Sequence, residues 1–189
     1  MSFNVISVVG LGYIGLPTAA MFAAKQKKVT GVDVNQHVVN SINAGKINMI
    51  EPGLKAIVEK AIDGGFLKAV TSPEPADAFL IAVPTPFLTV KSENSIPDPD
   101  LSYIESAARS VAEVLKKGDL VILESTSPVG TTEQMSVWLA EARTDLTFPH
   151  TDGDKSDVMI AYCPERVLPG SVVRELVSND RIIGGMTEK

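Results

Sequence analysis

Gly10-Leu11-Gly12-Tyr13-Ile14-Gly15 follows the spacing G-x-G-x-x-G, just after the short apolar run Val5–Val9. Glycines at this spacing serve a phosphate. Gly10 permits a tight turn out of a strand. Gly12 carries no Cβ, so a pyrophosphate can approach the backbone, and Gly15 lets the following helix pack closely on the strand. The N–H groups around Tyr13 and Ile14, at the start of that helix, then face the phosphates along a favourable helix dipole. Asp33 lies 18 residues after Gly15, at the end of the next apolar run. A carboxylate there can accept hydrogen bonds from the adenosine ribose, and it would repel a 2′-phosphate. No arginine follows in Val34-Asn35-Gln36-His37, which favours NAD over NADP. The alternative is a glycine-rich turn with a solvent-facing aspartate; strand, helix and acid in register speak against it.

Further candidates sit where apolar runs end. Val83-Pro84-Thr85-Pro86 is a rigid turn offering the Thr85 hydroxyl, or a plain loop. Glu124-Ser125-Thr126-Ser127-Pro128 presents three hydroxyls that can hold substrate or water, or cap the next helix. Cys163-Pro164-Glu165-Arg166 offers Glu165 as a general base or water-holding group, its bland reading being a surface salt bridge to Arg166. Cys163 reads as a packed, inert thiol rather than a nucleophile. His37 and His150 are isolated, and no metal-ligand spacing occurs. Met21 and Phe22 read as core, and Trp138 as helix packing.

The elements that must position these residues are β-branched runs alternating with helical patterns. Strands are predicted over Val5–Val9, Val29–Val34, Leu67–Thr71, Phe79–Val83, Leu120–Leu123 and Val158–Ala161, and a seventh over Arg181–Ile183. Helices are predicted over Leu16–Lys25, Gln36–Ala44, Leu54–Ile62, Leu101–Leu115 and Thr132–Ala142. Pro17 falls in the first turn of its helix, where a missing N–H costs little. Strand, helix and strand within about 30 residues make a βαβ unit and a parallel sheet. The fold class is α/β, a Rossmann-like doubly wound, mainly parallel sheet with helices on both faces. Pro84–Asp100 is a long loop with four prolines, polar from Lys91 onward, and it leaves the end of a central strand where such sheets place ligands. Thr144–Asp157 reads as a surface excursion.

Composition narrows the classes further. The 189 residues carry 17 Lys and Arg against 23 Asp and Glu, for a net charge of −6. An acidic balance without a basic stripe disfavours a nucleic-acid partner; Lys25, Lys27 and Lys28 read as a solvated turn. An apolar fraction of 44% excludes disorder, and one cysteine excludes a disulfide framework. No run approaches the ~20 apolar residues that span a bilayer. Met1–Gly12 lacks the positive start of a secretion signal. Cytoplasmic localisation is expected.

Taken together, GLGYIGLP at 10–17, the aspartate of VTGVDVN at 29–35, EPGL at 51–54, AVPTPF at 82–87, ESTSPVGTTE at 124–133 and CPERVLPG at 163–170 resemble the UDP-glucose/GDP-mannose dehydrogenase family. The last two segments look most like its UDP-N-acetyl-D-mannosamine dehydrogenase branch. The resemblance implies oxidation of a nucleotide-sugar C6 alcohol to a carboxylate with two NAD+ and a water, through an aldehyde and a cysteine thioester. The product would feed surface polysaccharide synthesis. It implies that Thr126 lies near the nicotinamide, that Thr85 contacts its ribose region and that Glu165 serves the later oxidation and hydrolysis. Glu51–Leu54 would form a loop near cofactor or substrate. Some relatives carry a second acid where this chain has Pro169. The family's nucleophilic cysteine, its central dimer-forming helix and its sugar domain match nothing here. Residues 1–189 are therefore expected to be the NAD-binding domain alone, inactive by itself, from a homodimeric enzyme with a UDP-sugar substrate. UDP-glucose 6-dehydrogenase is the nearest alternative. A dinucleotide-binding module without catalysis is the alternative from another class.

Overall fold

The computed structural model describes residues 3–89 and 97–188. The polar stretch of the proline-rich loop from Lys91 lies partly outside them. Among the described residues, seven strands form one sheet in the order β3-β2-β1-β4-β5-β6-β7. They are β1 (Val5–Val9), β2 (Lys28–Val32), β3 (Leu67–Val70), β4 (Ala78–Ile81), β5 (Leu120–Leu123), β6 (Met159–Tyr162) and β7 (Gly184–Gly185). Neighbours from β3 through β6 pair in parallel, and β7 closes the edge antiparallel. The chain runs outward from β1 to β3, then returns to β4 on the other side of β1. The crevice beyond the strand ends at that reversal is where sheets of this class take ligands.

The apolar runs are continuous because both sheet faces are covered. On β4, Phe79 and Ile81 join one buried cluster and Leu80 joins the other. The first cluster packs under α4 (Ser102–Ala112) and α5 (Thr131–Ala142) through Ile104, Val111, Met135 and Leu139. The second packs under α1 (Gly15–Ala24), α2 (Gln36–Asn43) and α3 (Leu54–Asp63) through Leu16, Val39, Leu54 and Val58. Ala19, Ala20 and Ala23 of α1 are buried, and such small residues let this helix lie close to the strands.

Several expectations are corrected. The edge strand is Gly184–Gly185, not Arg181–Ile183. It is held by backbone pairing of Gly184 with Tyr162, while Ile182 and Ile183 are exposed. Thr144–Asp157 is not only surface: it contains a short helix, α6 (Pro149–Asp152), and Phe148 before it is fully buried. A further helix, α7 (Val172–Ser178), follows the Pro169-Gly170 turn. Met21 and Phe22 are half-buried and line a groove, Phe22 while packing against the second cluster. Trp138 does pack against the first cluster.

Candidate functional site

The glycine turn is built as its spacing predicts. Gly10 has φ +94°, and a Cβ there would stand 2.5 Å from the Ala82 carbonyl oxygen of the neighbouring strand end. A Cβ on Gly15 would stand 1.7 Å from the Gly10 carbonyl oxygen, so α1 can begin only on a glycine. Gly12 differs, since a Cβ there would meet nothing within 4 Å. Its neighbourhood is an open cradle, and the Gly12, Tyr13 and Ile14 N–H groups have no acceptor among the described residues. Open space beside unpaired donors at a helix start fits an anionic group. Gly31 of β2 contributes a close approach that the sequence reading missed. A Cβ there would lie 2.7 Å from a Leu11 methyl, so Gly31 lets Leu11 pack beneath the turn.

Asp33 directly follows β2 and ties the turn to it. One carboxylate oxygen accepts the Leu11 N–H at 3.1 Å and the other the Asn35 N–H at 2.9 Å. Asp33, Gly10 and Pro84 line one cavity of about 440 Å³ together with Val34, Thr71 and Tyr103. The last three were not singled out in the sequence, because they come from the ends of three separate elements. The run Thr71-Ser72-Pro73 after β3 was the one signal available.

A second cavity, of about 190 Å³, shares Val83 and Pro84 with the first. Ile14, Thr85, Ser125, Thr126 and Glu165 line it. The candidates from four segments therefore converge. Their hydroxyls have separate surroundings. None caps α5, which starts after Gly130 at φ +91° with no side-chain cap. Ser125 donates to the Val83 carbonyl at 2.7 Å, bracing the ends of β4 and β5. Thr85 donates to the Thr126 carbonyl at 2.7 Å. The Thr126 side chain is left exposed at the rim.

Glu165 is not in a surface salt bridge with Arg166. Its side chain is 8% exposed, and it accepts from the Arg181 guanidinium at 2.9 Å. The other prong of Arg181 donates to Glu124 at 3.0 Å. Glu124 was read only as part of a hydroxyl-bearing segment; it is buried at the end of β5. Burial pushes its carboxyl up to about 7, against the pull of Arg181 and with the help of Glu165. Cys163 is buried, and burial raises its thiol further, as expected of an inert packed cysteine. Glu51 of the EPGL segment is also buried. It accepts the Gly170 N–H at 3.0 Å and the Val173 N–H at 3.4 Å, and the Tyr13 hydroxyl donates to it at 3.3 Å. That segment thus clamps the α7 start to the glycine turn.

Known proteins share the sequence and fold of this chain. The model of the UDP-glucose/GDP-mannose dehydrogenase family, NAD binding domain, matches residues 4–189. The chain is 65% identical over 187 residues to a UDP-N-acetyl-D-mannosamine dehydrogenase of Escherichia coli, covering 99% of this chain and 43% of that protein. It is 64% identical over 189 residues to an NDP-N-acetyl-D-galactosaminuronic acid dehydrogenase of Ralstonia nicotianae, covering all of this chain and 43% of that protein. Among solved structures, the UDP-N-acetyl-mannosamine dehydrogenase Cap5O from Staphylococcus aureus superposes with a TM-score of 0.86 at 41% identity, over 97% of this chain and 42% of that one. The chain thus spans under half the length of the relatives it matches. No helix among the described residues is long and apolar enough to cross a membrane.

Proposed function

The chain belongs to the UDP-glucose/GDP-mannose dehydrogenase family as its NAD-binding domain, and from that premise we propose that residues 1–189 are the cofactor-holding part of a UDP-N-acetyl-D-mannosamine 6-dehydrogenase. One observation carries the reading. The glycine turn, the Pro84-Thr85 turn, Thr126 and Glu165, far apart in sequence, line a single cavity beside the phosphate cradle. A module that only bound a dinucleotide would not need a strongly sequestered acid there.

The roles follow from the surroundings of each residue. Gly10, Gly12 and Gly15 shape the cradle, and the Tyr13 and Ile14 N–H groups hold the pyrophosphate. Asp33 accepts the adenosine ribose hydroxyls and excludes a 2′-phosphate. Pro84 and Thr85 fix the wall between the two cavities, and Thr126 presents its hydroxyl to the nicotinamide side. Bound NAD supplies the hydride acceptor. Glu165 takes a proton from, or orients, a water at the cavity mouth. A second acid is not available at Pro169. The chain covers 43% of its Escherichia coli relative, and on this reading the thiol nucleophile, the sugar-binding surface and a dimer-forming helix are assigned to the remainder of a complete, cytoplasmic enzyme.

Relatives at near-equal identity, one named for UDP-N-acetyl-D-mannosamine and one for NDP-N-acetyl-D-galactosaminuronic acid, support a 2-acetamido sugar over UDP-glucose. The test is a turnover assay of the complete polypeptide with UDP-N-acetyl-D-mannosamine, UDP-N-acetyl-D-galactosamine and UDP-glucose. Two NADH per UDP-N-acetyl-D-mannosamine are expected, with the other sugars slower. Faster turnover of another sugar would reassign the substrate, and no NADH from any would end the dehydrogenase reading. The 189-residue chain alone is expected to bind NAD weakly and to turn over none of them.

A further inference from the structure

Glu165 sits on an irregular segment, yet a functional acid must be held to within about half an ångström. Backbone bonds pin the segment at Cys163, Leu168 and Gly170, but among the described residues the one local bond at the Glu165 side chain is from the Arg166 N–H. The hold comes from elsewhere. Arg181 follows α7 and is 29% exposed at its side chain. Its guanidinium spans two carboxylates, with Nη1 on Glu124 Oε1 at 3.0 Å and Nη2 on Glu165 Oε2 at 2.9 Å. Glu124 is the fixed end of this bridge. It is 1% exposed at its side chain, and its N–H is bonded to the Ile81 carbonyl at 2.9 Å.

From this geometry we infer that Arg181 is a positioning residue of the reaction, with Glu124 as its anchor: the forked bridge ties Glu165 to the end of β5 and aims it into the cavity shared with Thr126. The inference rests on the reading of Glu165 as the working acid.

Glu124 also forms the wall between two spaces. It lines the 190 Å³ cavity on one side and, on the other, an apolar groove of about 410 Å³ bounded by Met21, Phe22, Leu80, Ile122 and Val177. Its second oxygen, Oε2, is buried with no partner in hydrogen-bond geometry among the described residues. The Thr18 hydroxyl of α1 lies beside it, just outside good hydrogen-bond geometry but close enough to favour the ionised form. The charged or titratable groups around it are Arg181, Glu165 and Cys163, with Lys25 across the groove; α7 presents only Leu176 and Val177. One cation thus serves two carboxylates in a poorly hydrated place. The cluster satisfies its charge best with a proton on Glu124, consistent with the upward push on that group. When Glu124 is neutral, Glu165 is the one carboxylate facing the Arg181 guanidinium, whose Nη1 also reaches the Cys163 sulfur at 3.6 Å. When it ionises, the two acids compete for one guanidinium. The grip on Glu165 therefore changes as pH crosses about 7.

The experiment uses Arg181→Gln, Arg181→Lys, Glu124→Gln and Glu165→Gln. In the complete polypeptide, Arg181→Gln is expected to lower kcat about 10²-fold with KM for NAD nearly unchanged. Lysine keeps the charge but loses the fork, and should rescue only in part. Glu124→Gln keeps the acceptor oxygen and should remove the inflection of kcat near pH 7. In the 189-residue chain, the Glu124 carboxyl is followed by carbon NMR against pH. Its midpoint should rise in Arg181→Gln, because the guanidinium favours the ionised form. This readout needs no turnover, and Arg181→Lys gives a smaller shift if the glutamine variant fails to fold. An unmoved Glu124 midpoint, or wild-type kcat in Arg181→Gln beside an inactive Glu165→Gln, overturns the inference. An active Glu165→Gln instead overturns the role given to Glu165, while the titration still reports whether Arg181 holds the pair.

Discussion

Two regions meet at the crevice and are made of different material. The β1–α1 turn is built from backbone. Its requirements are missing side chains at Gly10, Gly12 and Gly15 and free N–H groups, all within six residues. The ends of β5 and β6 are built from side chains. Glu124, Glu165 and Arg181 come from three segments and are bound through one guanidinium. The backbone site tolerates no added atom at Gly10 or Gly15, and the turn itself carries no charge to balance. A side-chain site tolerates reshaping but depends on where its protons are.

The sharpest way to break the comparison is to add a Cβ at Gly15. It would stand 1.7 Å from the Gly10 carbonyl oxygen, so backbone must move. Gly15→Ala is expected to cost about 3 kcal/mol or more, read as a fall in the denaturation midpoint, with NAD binding lost alongside. A variant of wild-type stability would show that α1 does not need this contact.

Next comes a proton. Burial raises Glu124 from the ordinary 4.5 to about 7. The folded state therefore binds more protons than the unfolded state between these values, and stability falls as pH rises through that window. The contribution is present below about 4.5, lost above about 7, and amounts to about 3 kcal/mol. Glu124→Gln cannot titrate. Relative to wild type it should gain about that much between pH 5 and pH 8, whatever the absolute cost of the change. Equal pH dependence in both proteins would place Glu124 in a wetter setting. The glycine turn has no counterpart to this effect.

This contrast also explains what could be read from the sequence. β1, β2, β4 and β5 were visible because both faces are buried and the runs are unbroken. The glycine turn and Asp33 were visible because their constraints are local and exclude most residue types. Arg181 was not. Its partners lie 57 and 16 residues away, and the run Arg181-Ile182-Ile183 looks like a strand. The true edge strand consists of two glycines and pairs through backbone alone, so it leaves no side-chain pattern. Glu51 was placed near the site by resemblance, but its role as a clamp on Gly170 and Val173 depends on a loop 119 residues onward. Phe148 was lost in a polar stretch because one buried ring makes no period.

A milder probe separates shape from fit inside the glycine turn. A Cβ on Gly12 meets no protein atom within 4 Å. Gly12→Ala should leave stability within about 0.5 kcal/mol. The same methyl occupies the space where phosphate approaches, and NAD affinity should drop about tenfold, or about 1.4 kcal/mol. Calorimetric titration beside a melting curve checks both. Unchanged affinity would move the pyrophosphate out of the cradle.

The smallest effect is expected at Asp33, the one side chain on which the backbone region relies. Its carboxylate already holds the Leu11 and Asn35 N–H groups, and each oxygen has a lone pair left for a ribose hydroxyl. In Asp33→Asn one oxygen becomes an NH2 facing an N–H. One of those two donors loses its partner, and the hydrogen bonds to the ribose lose their charge assistance. NAD affinity should fall about fivefold, roughly 1 kcal/mol, with a slight loss of stability. Affinity for NADP should fall less or rise, because the repulsion of a 2′-phosphate disappears with the charge. The ratio between the two cofactors, measured at low salt where that repulsion is unscreened, isolates the electrostatic part from the structural one. A wild-type chain that binds NAD and NADP equally would leave Asp33 only as the tie between Leu11 and Asn35. Region one would then be backbone in function as well as in form.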